Sequence, residues 1–170
     1  PKLATLGTTL GDVRIQRKGL SSWELANPGD ALFSEDKLMT NEGGKTFVIF
    51  KDGTQVWLNQ KTTLEFSSSM RKIFIPLGEI LAFVTKRTKQ AGEFVVSTPA
   101  GLVEVLGTEF DTTVSKEKIT ILTVLEGLVN FKNDKGETKV KKNSQSRANQ
   151  DTKPTLPLRM DTSQITTWAG

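Results

Sequence analysis

The sequence contains no cysteine and no histidine. The first absence removes disulfides, thiolate metal sites and cysteine nucleophiles together, and is compatible with either a reducing or an oxidising compartment. The second removes the commonest general base, the Ser-His-Asp and Cys-His arrangements and nearly all transition-metal sites. No apolar run approaches the roughly 18 to 20 residues that a membrane-spanning helix needs, and no basic segment followed by an apolar one opens the chain. The chain begins with Pro1 rather than Met, so processing or excision is expected, with any targeting segment upstream. Charge of one sign is also scarce. Lys and Arg number 23 against 19 Asp and Glu, a net +4 that falls far short of the density phosphate neutralisation requires, so no nucleic-acid partner is expected.

What is present is a chain of 170 residues, enough for one core and therefore one domain, with 36% hydrophobic and 25% charged residues split into many short runs. The first forty residues read as short strands over 5–8, 11–16 and 21–25, followed by Asn27-Pro28-Gly29-Asp30. There Pro presets the first corner of a turn and Gly supplies the positive φ of the second. A strand is expected to restart over 31–38. Two apolar runs, 46–50 and 54–58, flank Lys51-Asp52-Gly53, the strongest hairpin signal in the sequence. Alternation continues at Leu64 and Phe66, pauses at Ser67-Ser68-Ser69, and resumes through Ile73, Ile75 and Leu77 to Gly78. Ile80, Ala82 and Val84 extend it to a charged turn, Lys86-Arg87-Thr88-Lys89-Gln90.

The stretch from Thr98-Pro99-Ala100-Gly101 to Gly107-Thr108-Glu109-Phe110 organises the second half. Pro99 fixes its own φ and extends Thr98, and Gly101 and Gly107 permit tight backbone geometry, so the chain bends twice. Between the bends, Val103 and Val105 share one face of a half-buried strand and Glu104 takes the other. Phe110, Thr112 and Val114 alternate next, then the β-branched run 119–124, a turn at Glu126-Gly127, and a second hairpin from 128–131 through Asn133-Asp134-Lys135-Gly136 to 137–140. Beyond Asn143 the pattern dissolves, and Pro154 and Pro157 keep the chain extended, which suggests a domain over 1–147 followed by a strap over 148–170. Asp161 can cap one short helical turn that carries Ile165 and Trp168 to the same side. Residues 40–66 and 98–124 echo each other as turn, strand, loop, strand. The expected fold class is all-β: two stacked sheets of many short strands, arranged as a sandwich or a β-solenoid.

Carboxylates are the remaining route to catalysis. Glu35-Asp36, Glu104, Glu109-Phe110-Asp111 and Glu126 can pair as acid and base, or stand as solvent-facing residues on strands and turns. The Asp30, Asp52 and Asp134 turns suggest calcium only loosely, since their spacing matches neither the EF-hand loop nor the calcium-binding nonapeptide repeat, and turn formation accounts for them. Lys132, Lys135, Lys139, Lys141, Lys142 and Arg147 form the one basic concentration, with Lys139 and Lys141 on one strand face. They read as an anion or membrane-surface site, or as a sheet edge protected by lysines. Trp23, Trp57 and Trp168 are anchors. Trp57 sits in a hairpin with its apolar neighbours facing the other way, so it is either an exposed contact residue or packed beneath a loop or the strap. The expectation is therefore a non-enzymatic chain without cofactor or metal, with Trp57, Lys139, Lys141 and Lys142 as candidate partner contacts.

An ordered series of motifs resembles the FecR domain of bacterial envelope proteins. It comprises Pro28-Gly29-Asp30; Thr40 with Phe47-Val48-Ile49-Phe50-Lys51-Asp52-Gly53-Thr54-Gln55-Val56; Leu77-Gly78-Glu79; Val96-Ser97-Thr98-Pro99-Ala100-Gly101 with Gly107-Thr108-Glu109-Phe110; Val124-Leu125-Glu126-Gly127-Leu128-Val129; and Trp168-Ala169-Gly170. The resemblance implies a periplasmic or extracellular all-β domain, normally set after one membrane helix. In the best-known members a cytoplasmic segment controls a sigma factor and the periplasmic part receives a signal from an outer-membrane transporter. It implies protein partners in the envelope, a transporter or copies of the chain itself, and membrane contact only through flanking segments. A structural, self-assembling envelope or filament subunit is the alternative. The family usually has Gly where this chain has Asn143 before Ser144-Gln145, and Asn tolerates the same left-handed conformation. Nothing suggests direct iron binding, because carboxylates without His, Cys or Tyr make a poor selective iron site.

Overall fold

The computed structural model describes residues 1–69, 71–86 and 92–169, so most of the charged turn expected at 86–90, and Gly170, lie outside the described residues. Period-two alternation becomes two stacked sheets. One, sheet A, runs in the order β4 (Ala31–Phe33), β1 (Lys2–Leu10), β6 (Lys45–Phe50), β7 (Gln55–Leu58), the second half of β9 (Lys72–Phe83), β12 (Glu109–Val114), β13 (Thr120–Glu126), β16 (Ser144–Ala148) and β17 (Leu158–Arg159). The other, sheet B, runs β3 (Glu24–Leu25), β2 (Val13–Gln16), β5 (Lys37–Thr40), β8 (Thr63–Phe66), the first half of β9, β10 (Phe94–Thr98), β11 (Gly101–Val105), β14 (Leu128–Asn133) and β15 (Gly136–Lys141). Among the described residues every pairing is antiparallel except β9 with β10. Such ladders form an open sandwich; a parallel-stranded solenoid would need parallel pairing throughout.

Strand β9 joins the two layers. Its first residues pair with β8 and β10, and from Gly78 onward it pairs with β7 and β12. The crossing occurs at Gly78, whose φ of 112° is open mainly to glycine and where any Cβ would collide with Thr62. The echo between 40–66 and 98–124 acquires a meaning here, because the hairpins β6–β7 and β12–β13 flank β9 on its two sides within sheet A.

Alternate residues of both sheets meet in one core. Phe50 of sheet A sits edge-on to Phe94 of sheet B at 5.4 Å, and both are buried with Phe110, Phe131, Leu38 and Leu64. The Thr98-Pro99-Ala100-Gly101 turn is pinned into this core. The Thr98 hydroxyl accepts from the Ala100 N–H at 3.2 Å and from the Thr120 hydroxyl of the facing sheet at 2.8 Å. A side chain at Gly101 would strike the Lys132 carbonyl, which explains the need for glycine after the turn.

Two expectations change. The single strand expected over 31–38 is broken into β4 and β5, because Glu35 adopts φ 67° and turns Asp36 inward. Nothing in Ser34-Glu35 announces that turn. The strand expected over 21–25 shortens to β3. Asn143 adopts φ 61°, the left-handed conformation anticipated for it. After β17 the chain makes consecutive turns, with the Asp161 carboxylate accepting from the Ser163 N–H at 3.0 Å and Ile165 donating to the Thr162 carbonyl at 3.1 Å.

Candidate functional site

The outer face of sheet A carries a row that crosses seven strands. Ladder register places Phe47, Trp57, Leu81, Asp111, Thr123 and Gln145 side by side, with Gly7 beneath the Phe47 ring. Phe47 and Trp57 stack with centroids 4.3 Å apart, and the indole N–H of Trp57 donates to Gln55 at 3.2 Å. Trp57 is therefore half-buried, and its free edge forms one wall of a cleft of about 550 Å³ whose other walls include Phe83, Lys86, Glu109 and Glu126.

The same row explains an unexpected burial. Asp111 lies on the outer face, where a strand carboxylate ordinarily meets water, yet it is only 3% exposed. Its Oδ2 and the Trp168 Nε1 are both buried without a hydrogen-bond partner among the described residues. Burial first, then Glu79 beside it, push the Asp111 carboxyl up to about 9. Two carboxylates are both acceptors, so the pair is satisfied only when Asp111 keeps its proton and donates it to Glu79. The Trp168 indole lies near enough to favour the ionised form, but without hydrogen-bond geometry, and burial outweighs it. Glu79 also accepts from Asn59 at 2.9 Å, and Lys45 reaches the Trp168 carbonyl at 3.1 Å. Residues 161–169 thus fold back over this face.

Most of the other carboxylates singled out from the sequence are engaged separately. Asp36 is held by Arg17 at 2.8 Å, Glu35 by Lys18 at 2.7 Å, and Glu104 by Lys132 at 3.2 Å and Asn130 at 3.0 Å. Glu109 faces Glu126 across the β12–β13 ladder, and Glu126 pairs with Lys142 at 3.0 Å. Asp30 and Asp52 each accept a turn N–H, from Asn27 and Thr54 at 2.8 and 3.0 Å, which is turn chemistry. At the third such turn it is the side chain of Asn133, not Asp134, that accepts the Lys135 N–H, at 2.9 Å. The Glu79–Asp111 pair was not anticipated; the signal available was a carboxylate on a strand beside the fully buried Phe110.

Lys139 and Lys141 are exposed on β15, the edge strand of sheet B, and Lys142 follows it. Of the turn signature, Gly29 and Gly53 adopt φ 90° and 91°, and Gly127, with φ 93°, lies against Thr108 and Gly107.

A family model described as FecR protein matches residues 36–130, more than half of the chain. The chain belongs to the FecR family. The matched segment of this FecR domain runs from Asp36 to Asn130 and contains the β6–β7 hairpin, the crossing strand β9 and the pinned Thr98-Pro99-Ala100-Gly101 turn. Two crystal structures of a candidate anti-sigma factor from Parabacteroides distasonis are similar in fold, each with a TM-score of 0.69 and 24% identity over 78% of this chain. The chain spans 64% and 63% of the length of those two chains. No curated protein matches it.

Proposed function

We propose that this FecR domain is a non-enzymatic, extracytoplasmic module that binds a protein partner in the cell envelope and takes part in signal transduction. The observation that carries the reading is the family match over 36–130. Family members regulate, and the described residues offer a surface better suited to contact than to chemistry. Asp36, Glu35, Glu104 and Glu126 are tied into separate ion pairs and Asp30 and Asp52 into turns, while among the described residues sheet edges stand open. Open edges favour partners that add a strand, and Trp57 with Lys139, Lys141 and Lys142 are the side chains proposed to meet them. An outer-membrane transporter or another copy of the chain would fit that description.

In-frame deletion of these residues from the chromosome, followed by transcript profiling, tests the proposal. A signalling role predicts altered transcription of a limited gene set; an unchanged profile contradicts it. The same open edges also favour self-assembly into an envelope layer or filament. Light scattering separates the two, because polymers that grow with concentration support assembly, whereas a monomer at all concentrations supports a heterologous partner.

A further inference from the structure

Strand β17 closes sheet A on one side and, among the described residues, has no neighbour on the other. Thr155 and Met160 turn their N–H groups inward, to the carbonyls of Arg147 at 2.9 Å and Asn143 at 2.8 Å. Backbone groups alternate along β17, so with the Met160 N–H turned inward that of Arg159 points away from the sheet, whereas Thr155 to Pro157 run alongside as extended chain outside the strand. The side chains are unusual for a free edge. Leu156 is 78% exposed, Leu158 71% and Met160 37%, and Leu158 stands opposite Gln145 on the outer face. Natural edges are normally blunted by charges pointing into the pairing zone. Here the charges lie around it instead: between positions 139 and 161 the sequence carries six basic residues, Lys139, Lys141, Lys142, Arg147, Lys153 and Arg159, against two acids, Asp151 and Asp161, with Lys142 paired to Glu126.

We infer that the β17 edge, residues 155–160, is a strand-addition site for an extended acidic segment of a partner protein in which apolar residues alternate with Asp or Glu. The inference rests on the protein-binding reading above and assigns its location. Outward N–H and C=O groups supply main-chain bonds, Leu156, Leu158 and Met160 receive the apolar side chains, and the basic flank selects the acidic ones. Pro157 carries no donor and limits the pairing to a short register.

The test uses the whole chain with three labelled peptides of roughly ten residues: alternating Val-Glu, alternating Val-Lys, and Val-Glu with prolines in place of alternate residues. The expected result is that the Val-Glu peptide binds at least about tenfold more tightly than the other two. It slows amide exchange at Arg159, and the double substitution L156E/L158E abolishes the effect while leaving the melting temperature unchanged. Equal binding of all three peptides, or undiminished binding by L156E/L158E, overturns the inference. Spectral changes confined to the β4 or β15 edge also overturn it but leave the protein-binding reading standing. Self-association through 155–160 without peptide overturns it in favour of a second copy. Failure of every peptide together with an unchanged transcript profile in the deletion strain removes both.

Discussion

At the β4 edge of sheet A the buried carboxylate of Asp36 is held as an ion by Arg17, whereas across the same sheet the buried carboxyl of Asp111, beside Glu79 and Trp168, keeps its proton. Asp36 accepts from Arg17 at 2.8 Å and from the N–H groups of Phe33 and Lys18 at 2.9 and 3.1 Å. Arg17 also donates to the Ala31 carbonyl at 2.7 Å and lies 5.9 Å from the Phe33 ring, so the residue that satisfies the charge also shields the edge. Among the described residues the β17 side has no such cluster, and Leu156 and Leu158 are exposed there. One side is complete within the chain; the other presents what an interface would complete.

The same substitution at the two aspartates should separate them most sharply. Asp36→Asn removes a charge that Arg17 and two backbone donors require, and is expected to cost about 2 to 4 kcal/mol in denaturant unfolding. Asp111→Asn replaces a group that already carries a proton, and should be nearly neutral at pH 5. Its effect lies in pH dependence. The Asp111 carboxyl stands at about 9 when folded and 3.8 as the ordinary value, so the folded state holds a proton that the unfolded chain releases. That contribution is fully present below the ordinary value and is lost as pH rises towards the folded one, at up to about 1.4 kcal/mol per pH unit. The native chain should therefore lose stability from pH 5 to pH 9, and Asp111→Asn should flatten the slope; an unchanged slope would show that Asp111 is ionised. Trp168→Ala is expected to cost about 1 to 2 kcal/mol and to flatten the same slope partly, because water then reaches Asp111. L156E/L158E should change stability by less than about 0.5 kcal/mol, as substitutions on a free edge do.

Much of this architecture is legible in the residues themselves. Period-two alternation marks most of the strands, Asp52-Gly53 marks the β6–β7 hairpin, and the Thr98-Pro99-Ala100-Gly101 turn lies where its proline and glycine require. What escapes is long-range. The alternation 73–84 reads as continuous through Gly78, and only the partners on either side reveal that the strand changes sheets there. Glu35 breaks a strand without Gly or Pro because Asp36, two strands from Arg17 in chain order, pulls the turn inward. Asp111 alternates onto the solvent face and is buried only because residues more than fifty positions later fold over it. Trp168 was legible as an anchor but not as a cover for a carboxyl pair.

The most direct measurement places L156E/L158E in the chromosomal copy and compares its transcript profile with those of the parent and the deletion strain. The account predicts the deletion profile, with protein abundance and melting temperature unchanged, because the open edge is where the partner binds. A parental profile would contradict it.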